Sequence, residues 1–249
     1  RMKLYFWPLR EQVNSLQKPS CGPASACPEP LMISETTINQ IAGLQLRSNR
    51  PLVICDVDEV VVHFTRDFED YLAGHDLELD TSRMLFSSNI RQRKNLATLN
   101  PEDSEKTVVQ FFAERTLAMQ TIDGAVEALL NIEKSADVIM LTNLPHEAGD
   151  DRRANLAGHG LNFPVVTNSG PKGPAIRKIA AQIEAPVVFI DDSPGFITSA
   201  FEHAPDVHLI HFLHDERYAR LVPPLDFVSL RTHTWDEVHP HVLELIGGR

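Results

Sequence analysis

Short apolar runs rich in β-branched residues recur along this chain at 52–55, 138–141, 165–167, 187–190 and 207–212. Runs unbroken by polar residues read as strands buried on both faces, the habit of a parallel sheet. Between them lie segments with helical spacing, at 123–135, 147–158, 174–184 and 195–203. Strand and helix in alternation predict parallel pairing through right-handed crossovers, hence an α/β fold with a Rossmann-like open parallel sheet between helix layers.

One interval breaks the alternation. After the first run come a helical piece near 67–72, short strand-like pieces at 77–80 and 84–86, and a longer helix opened by Pro101-Glu-Asp-Ser-Glu that carries Val108, Val109, Phe111, Phe112, Leu117 and Met119. Residues 65–120 are therefore expected to form an insertion, with 34–64 and 121–249 as the core. Ser34-Glu-Thr-Thr sets a capping serine ahead of a short helical face of Ile38, Ile41, Leu44 and Leu46. Residues 1–33 lack sustained periodicity and are expected to be a poorly ordered or docking arm.

Composition narrows the function classes. The chain has 249 residues, 43% hydrophobic and 23% charged, which is ordinary for a globular protein. Its net charge of −11 disfavours a nucleic-acid partner, because phosphate-backbone binding depends on clustered Lys and Arg. An anionic ligand then needs a locally positive or metal-bearing pocket. Three cysteines, Cys21, Cys27 and Cys55, form no CxxC pair, which suits a reducing compartment. No apolar stretch approaches the roughly 18 residues of a membrane span, and the expectation is a soluble cytoplasmic protein with no membrane partner.

The polar residues that end the apolar runs carry the chemistry. Cys55-Asp56-Val57-Asp58-Glu59 follows the first run, Thr142-Asn143 the second, and Asp191-Asp192-Ser193 the run at 187–190. In an open parallel sheet these ends share one edge, where ligands bind. Gly170-Pro-Lys-Gly-Pro174 holds Lys172 near a helix start, where free backbone N–H groups favour anions; Arg177 and Lys178 are alternative cations nearby. Several carboxylates on one edge raise one another's pKa unless a cation balances them. Magnesium, with its oxygen ligands and its habit of sharing coordination with phosphate, fits best. Asp56 is placed to attack phosphorus and Asp58 to protonate the leaving oxygen, with Thr142, Asn143 and Lys172 binding the phosphoryl group.

Asp-Val-Asp at 56–58, Thr142, Lys172 and Asp-Asp at 191–192, in that order, resemble the motifs of the haloacid dehalogenase (HAD) superfamily of phosphotransferases, over about 50–215. The resemblance implies Asp56 as the nucleophile that forms an aspartyl-phosphate, Asp58 as general acid and base, and Thr142 and Lys172 as stabilisers. It also implies Mg2+ held by the Asp56 carboxylate, the Asp58 main-chain carbonyl and an acid of the pair Asp191 and Asp192. The insertion resembles the mainly helical cap that this family closes over substrate. Glu59-Val60 stand where many relatives have Gly-Thr. The expected activity is hydrolysis of a small phosphorylated metabolite; a phosphomutase and a non-catalytic HAD-like binding module are the alternatives. A receiver domain has its acid pair first rather than last, and a dehalogenase needs no acid at 58, since halide leaves without a proton. His208, His211 and His214 fall on different faces of a strand and are expected to be structural. Arg91-Gln-Arg-Lys94 is either a solvated basic face or a contact for an anionic substrate tail.

Overall fold

The computed structural model of the chain describes residues 33–82 and 89–248. The expected arm up to residue 32 and the strand-like piece at 84–86 lie outside the described residues. The strands are β1 (Leu52–Cys55), β2 (Leu77–Leu79), β3 (Ile90–Gln92), β4 (Asp137–Thr142), β5 (Val165–Thr167), β6 (Val187–Asp191), β7 (His208–Phe212) and β8 (Leu230–Thr232). The helices are α1 (Glu35–Ala42), α2 (Phe64–Ala73), α3 (Pro101–Arg115), α4 (Ala125–Glu133), α5 (Gly149–Gly158), α6 (Gly173–Ala180), α7 (Pro194–His203), α8 (Glu216–Ala219) and α9 (Trp235–Ile246).

Six strands form one sheet in the order β5-β4-β1-β6-β7-β8, every pair parallel. Strand β1 lies near the middle and is buried along its whole length, as its unbroken apolar run requires. Its side chains alternate between two cores. Val53 and Cys55 pack with Leu129 and Ile132 of α4 and with Trp235, Val238 and Val242 of α9. Leu52 and Ile54 face Ile41 of α1, Ile176 and Ile179 of α6 and Ile197 of α7. Period-two burial on a strand with helices over both faces is a three-layer α/β sandwich.

Several element limits differ from the sequence expectation. Helix α1 buries Thr37 and Ile41, whereas Ile38 is exposed, and it stops at Ala42 before Leu44 and Leu46. Its cap is as expected, with Ser34 Oγ accepting from the Thr37 amide at 3.1 Å. Strand β8 has no counterpart in the hydrophobic pattern. It is three residues long with Arg231 at its centre, and it pairs in register with Ile210, His211 and Phe212.

The segment between β1 and β4, expected to be an insertion, begins and ends in two chain passages that run side by side. Val62 bridges Thr121 antiparallel, the His63 amide donates to Gln120 O at 3.0 Å, and the Ile122 amide donates to Val61 O at 2.8 Å. Inside the insertion, Phe64, Phe68 and Tyr71 of α2 pack on Phe111 of α3 in edge-on contacts, the Phe68–Phe111 centroids lying 4.9 Å apart. The hairpin β2–β3 completes it. Arg91, the first residue of the basic cluster, faces Glu78 and Asp80 of the same hairpin rather than open solvent.

Candidate active site

The turn after β1 carries the first acids. The Asp56 amide still donates to Ile190 O at 2.9 Å, so its carboxylate starts from the rigid end of the sheet. The next residues coil: the amides of Val60, Val61 and Val62 all donate to Val57 O. This places Glu59 at φ 62°, in the left-handed region. Trp235 Nε1 donates to Val60 O at 2.9 Å and fixes the coil from the α9 side. Glu59, for which the sequence suggested no role, is buried and accepts from the Thr65 amide at 2.6 Å, in the first turn of α2. It ties the motif turn to the first helix of the insertion. Burial raises its pKa, and the Thr65 amide offsets only part of that rise.

Lys172 reaches the same edge from the start of α6. Its ammonium is fully buried, donating to Asp191 Oδ2 at 2.7 Å and pairing with Asp56 Oδ1 at 2.7 Å. Burial alone would favour the neutral amine, but the charges of Asp191 and Asp56 outweigh it and keep Lys172 protonated. Arg177 and Lys178 do not share the position: each lies further along α6, and Lys178 is exposed. The loop before Lys172 is held by two asparagines. Asn143 Nδ2 donates to Gly170 O at 2.7 Å, Asn168 Nδ2 donates to the same oxygen at 3.0 Å, and Asn168 Nδ2 also donates to Asn143 Oδ1 at 3.0 Å. The Asn143 side-chain amide thus braces the lysine loop, a role the sequence reading did not give it. Gly170 turns this loop at φ 84°.

Asp191 and Asp192 end β6. Asp191 Oδ1 accepts from the Ser193 amide at 2.8 Å, so both of its oxygens are engaged. The Asp192 carboxylate has no hydrogen-bond partner among the described residues, and its main-chain carbonyl is held by His211 Nε2 at 3.0 Å. Burial pulls the His211 pKa down to about 4, so the imidazole is neutral and donates to that carbonyl. His208 is exposed while His211 is buried, in keeping with a structural reading of the triplet.

Carboxyl oxygens of Asp56, Asp191 and Asp192 lie within 4.8 Å of one another, all three residues buried. Burial pushes the Asp56 pKa up to about 7; Lys172 lowers it, while Asp191 and Asp58 raise it further. Burial raises Asp192 too, reinforced by Asp191, Asp56 and Glu59. Three acids facing one ammonium leave an excess of negative charge in a dry site, and oxygen-only donors suit a hard divalent cation. The residues present therefore fit magnesium, with Asp56 and Asp192 the carboxylates best able to accept it.

Asp58 stands beside this cluster rather than in it. Thr142 Oγ1 donates to its Oδ2 at 3.1 Å, and Nη2 of Arg152 binds its Oδ1. Arg152, in α5, is fully buried, and the sequence reading passed over it. In Asp150-Asp151-Arg152-Arg153 it looks like part of a solvated charged face, as Arg153 is. The available signal was helical phase, since Arg152 shares a face with Asn155 and Leu156, both buried.

No protein-family model matches the chain, and no curated protein does. Solved structures do. YfnB of Bacillus subtilis, solved bound to magnesium, superposes with a TM-score of 0.55 at 15% identity, over 79% of this chain and 99% of its own. A HAD family hydrolase from Deinococcus radiodurans R1, with bound phosphate and sodium, gives 0.54 at 17% identity over 80% and 97%. CbbY of Rhodobacter sphaeroides, solved in complex with xylulose-1,5-bisphosphate, gives 0.52 at 13% over 75% and 95%. Sheet order, motif placement and these superpositions converge on one architecture: the chain has the haloacid dehalogenase-like fold.

Proposed function

We propose that this protein is a magnesium-dependent phosphatase that hydrolyses a small phosphate monoester through an aspartyl-phosphate on Asp56. The observation that carries the proposal is the buried set of Asp56, Asp191 and Asp192 around Lys172 at the carboxyl edge of the sheet, with Asp58 and Thr142 adjoining. Phosphoryl transfer asks mainly for positioning and charge neutralisation, and the site is rich in both.

Asp56 attacks phosphorus through a carboxylate oxygen as the bond from phosphorus to the ester oxygen breaks. Lys172 and the Thr142 hydroxyl bind the non-bridging oxygens, and Asp58 gives its proton to the departing alcohol. Asp58 then takes a proton from water as that water attacks phosphorus and frees Asp56. When bound, magnesium supplies positive charge that offsets the clustered carboxylates and the phosphoryl oxygens. The insertion between β1 and β4 acts as a cap, and its attachment at 62–63 and 120–122 makes those passages its hinge. A metabolite-sized substrate is the class that such a cap would admit.

The test is turnover of p-nitrophenyl phosphate and a panel of metabolite phosphates with and without magnesium, for the wild type and Asp56→Asn. Metal-dependent release of phosphate that Asp56→Asn reduces by at least about 10³-fold is expected. No turnover over the whole panel would point to a binding module, and transfer of phosphate between two positions of a sugar would make the protein a mutase.

A further inference from the structure

We propose that Arg152 is a positioning residue for Asp58, holding one carboxyl oxygen so that the other carries the proton to the leaving group. This role rests on the phosphatase proposal and extends it to a residue that the motifs do not include. Arg152 is fully buried, with its guanidinium turned to Asp58, Asn155 and Met119. Its Nη2 binds Asp58 Oδ1 and lies 3.3 Å from Met119 Sδ, while Nη1 donates to Asn155 Oδ1 at 3.2 Å. Asn155 is itself fixed, its Nδ2 donating to Leu117 O at 3.2 Å and to Met119 O at 2.8 Å. Asp58 is the one acid that pairs with Arg152 among the described residues.

A buried arginine is an expensive way to fill space, because a hydrophobic side chain of similar volume packs as well without a desolvation cost. Anchoring α5 does not require it either, since Leu156 on the same face is buried in the core and Asn155 already holds the 117–119 segment. What the guanidinium adds is specific to Asp58. The two carboxyl oxygens become inequivalent: Oδ1 faces a donor that cannot accept a proton, and Oδ2 lies beside the Thr142 hydroxyl, where the phosphoryl group binds. A proton on Asp58 therefore sits on Oδ2. It passes to the ester oxygen as the phosphorus–oxygen bond breaks and the Asp56–phosphorus bond forms. Without Arg152 the Thr142 hydroxyl alone among the described residues holds the carboxyl group, and the proton can also reside on Oδ1, away from the leaving group.

The dependence on leaving group separates this role from a purely structural one. p-Nitrophenolate departs without help from an acid, whereas phenolate needs its proton far more. Arg152→Met is expected to lower kcat/KM, which reports the step that expels the leaving group, by about 10- to 100-fold for phenyl phosphate and by no more than about 3-fold for p-nitrophenyl phosphate. In an Asp58→Asn background, Arg152→Met should cause no further loss. If Arg152→Met fails to fold, Arg152→Lys retains the charge without the planar fork and is expected to give a smaller loss with the same bias. Equal losses on both esters, or a further loss in the Asp58→Asn background, would overturn the role while leaving the phosphatase proposal standing. Absence of turnover in the wild type would overturn both.

Discussion

Glu59 occupies a backbone position that glycine would fill without strain. At φ 62° a residue with a β-carbon gives up about 1 kcal/mol relative to glycine, which accounts for the glycine that many HAD-type sequences carry after the second aspartate. Here the Glu59 carboxylate offsets that strain by accepting from the Thr65 amide, one of the unsatisfied donors in the first turn of α2. Three substitutions separate the contributions. Glu59→Ala keeps the strain and loses the acceptor, and should cost about 1–2 kcal/mol in chemical denaturation. Glu59→Gly loses the acceptor but relieves the backbone, and should cost less than Ala by about 1 kcal/mol. Glu59→Gln keeps an acceptor and removes a buried charge close to Asp192, and should lie within about 0.5 kcal/mol of wild type. A ranking with Gly below Ala would show that the left-handed conformation is not what strains this turn.

At the scale of elements, the placement of Lys172 depends on how closely α6 approaches α7. A β-carbon on Gly173 would meet Ser199 O at 2.1 Å and Ser199 Oγ at 2.5 Å, and the Gly173 amide already donates to that hydroxyl at 3.1 Å. Gly173→Ala is therefore expected to cost about 2–3 kcal/mol, by overpacking that moves the helix start and Lys172 with it. Because the tighter contact is with backbone, removing the hydroxyl with Ser199→Ala should not rescue it; full rescue would place the conflict in the side chain alone. This dependence also explains what the sequence disclosed. Strands β1, β2, β4, β5, β6 and β7 and the polar groups that end β1, β4 and β6 were legible, because buried parallel strands read as apolar runs, whereas β3 at 90–92 had no counterpart in the pattern. Strand β8 had none either, since three residues with a central arginine carry no such run and depend on pairing with β7. Arg152 was hidden for a related reason: a charged residue is read as solvent-facing until helical phase sets it opposite an acid, here the half-buried Asp58. Asn143 follows the same logic, its amide being drawn to a loop 27 residues further on, at a range that local pattern does not report.

Over the whole molecule, the proposed metal site would trade stability of the metal-free protein for binding of the cation. With a net charge of −11 the chain already repels itself, and at the sheet edge it buries Asp56, Asp191 and Asp192 against the single ammonium of Lys172. Of the three, Asp192 is the carboxylate with neither a hydrogen-bond donor nor an ion pair among the described residues, its pKa raised by burial and by Asp191, Asp56 and Glu59. Asp192→Asn removes that repulsion without unpairing Lys172. It should stabilise the metal-free protein by about 1 kcal/mol, read as a rise in Tm of roughly 2–4 °C. Magnesium has the opposite selectivity. A ligand that binds the folded chain alone and is present at about 100 times its Kd adds about 2.7 kcal/mol, so wild-type Tm should rise by roughly 5–10 °C, and a chelator should reverse the rise. Asp192→Asn should lose most of that gain, so that the ranking of the two proteins inverts when the metal is added. Asp191→Asn should behave differently, because it leaves a fully buried ammonium short of one of its two acids and so lowers Tm with or without magnesium. If Asp192→Asn were instead destabilised in the absence of metal, crowding of charge would not be what this site stores, and the case for a cation between these carboxylates would fail with it.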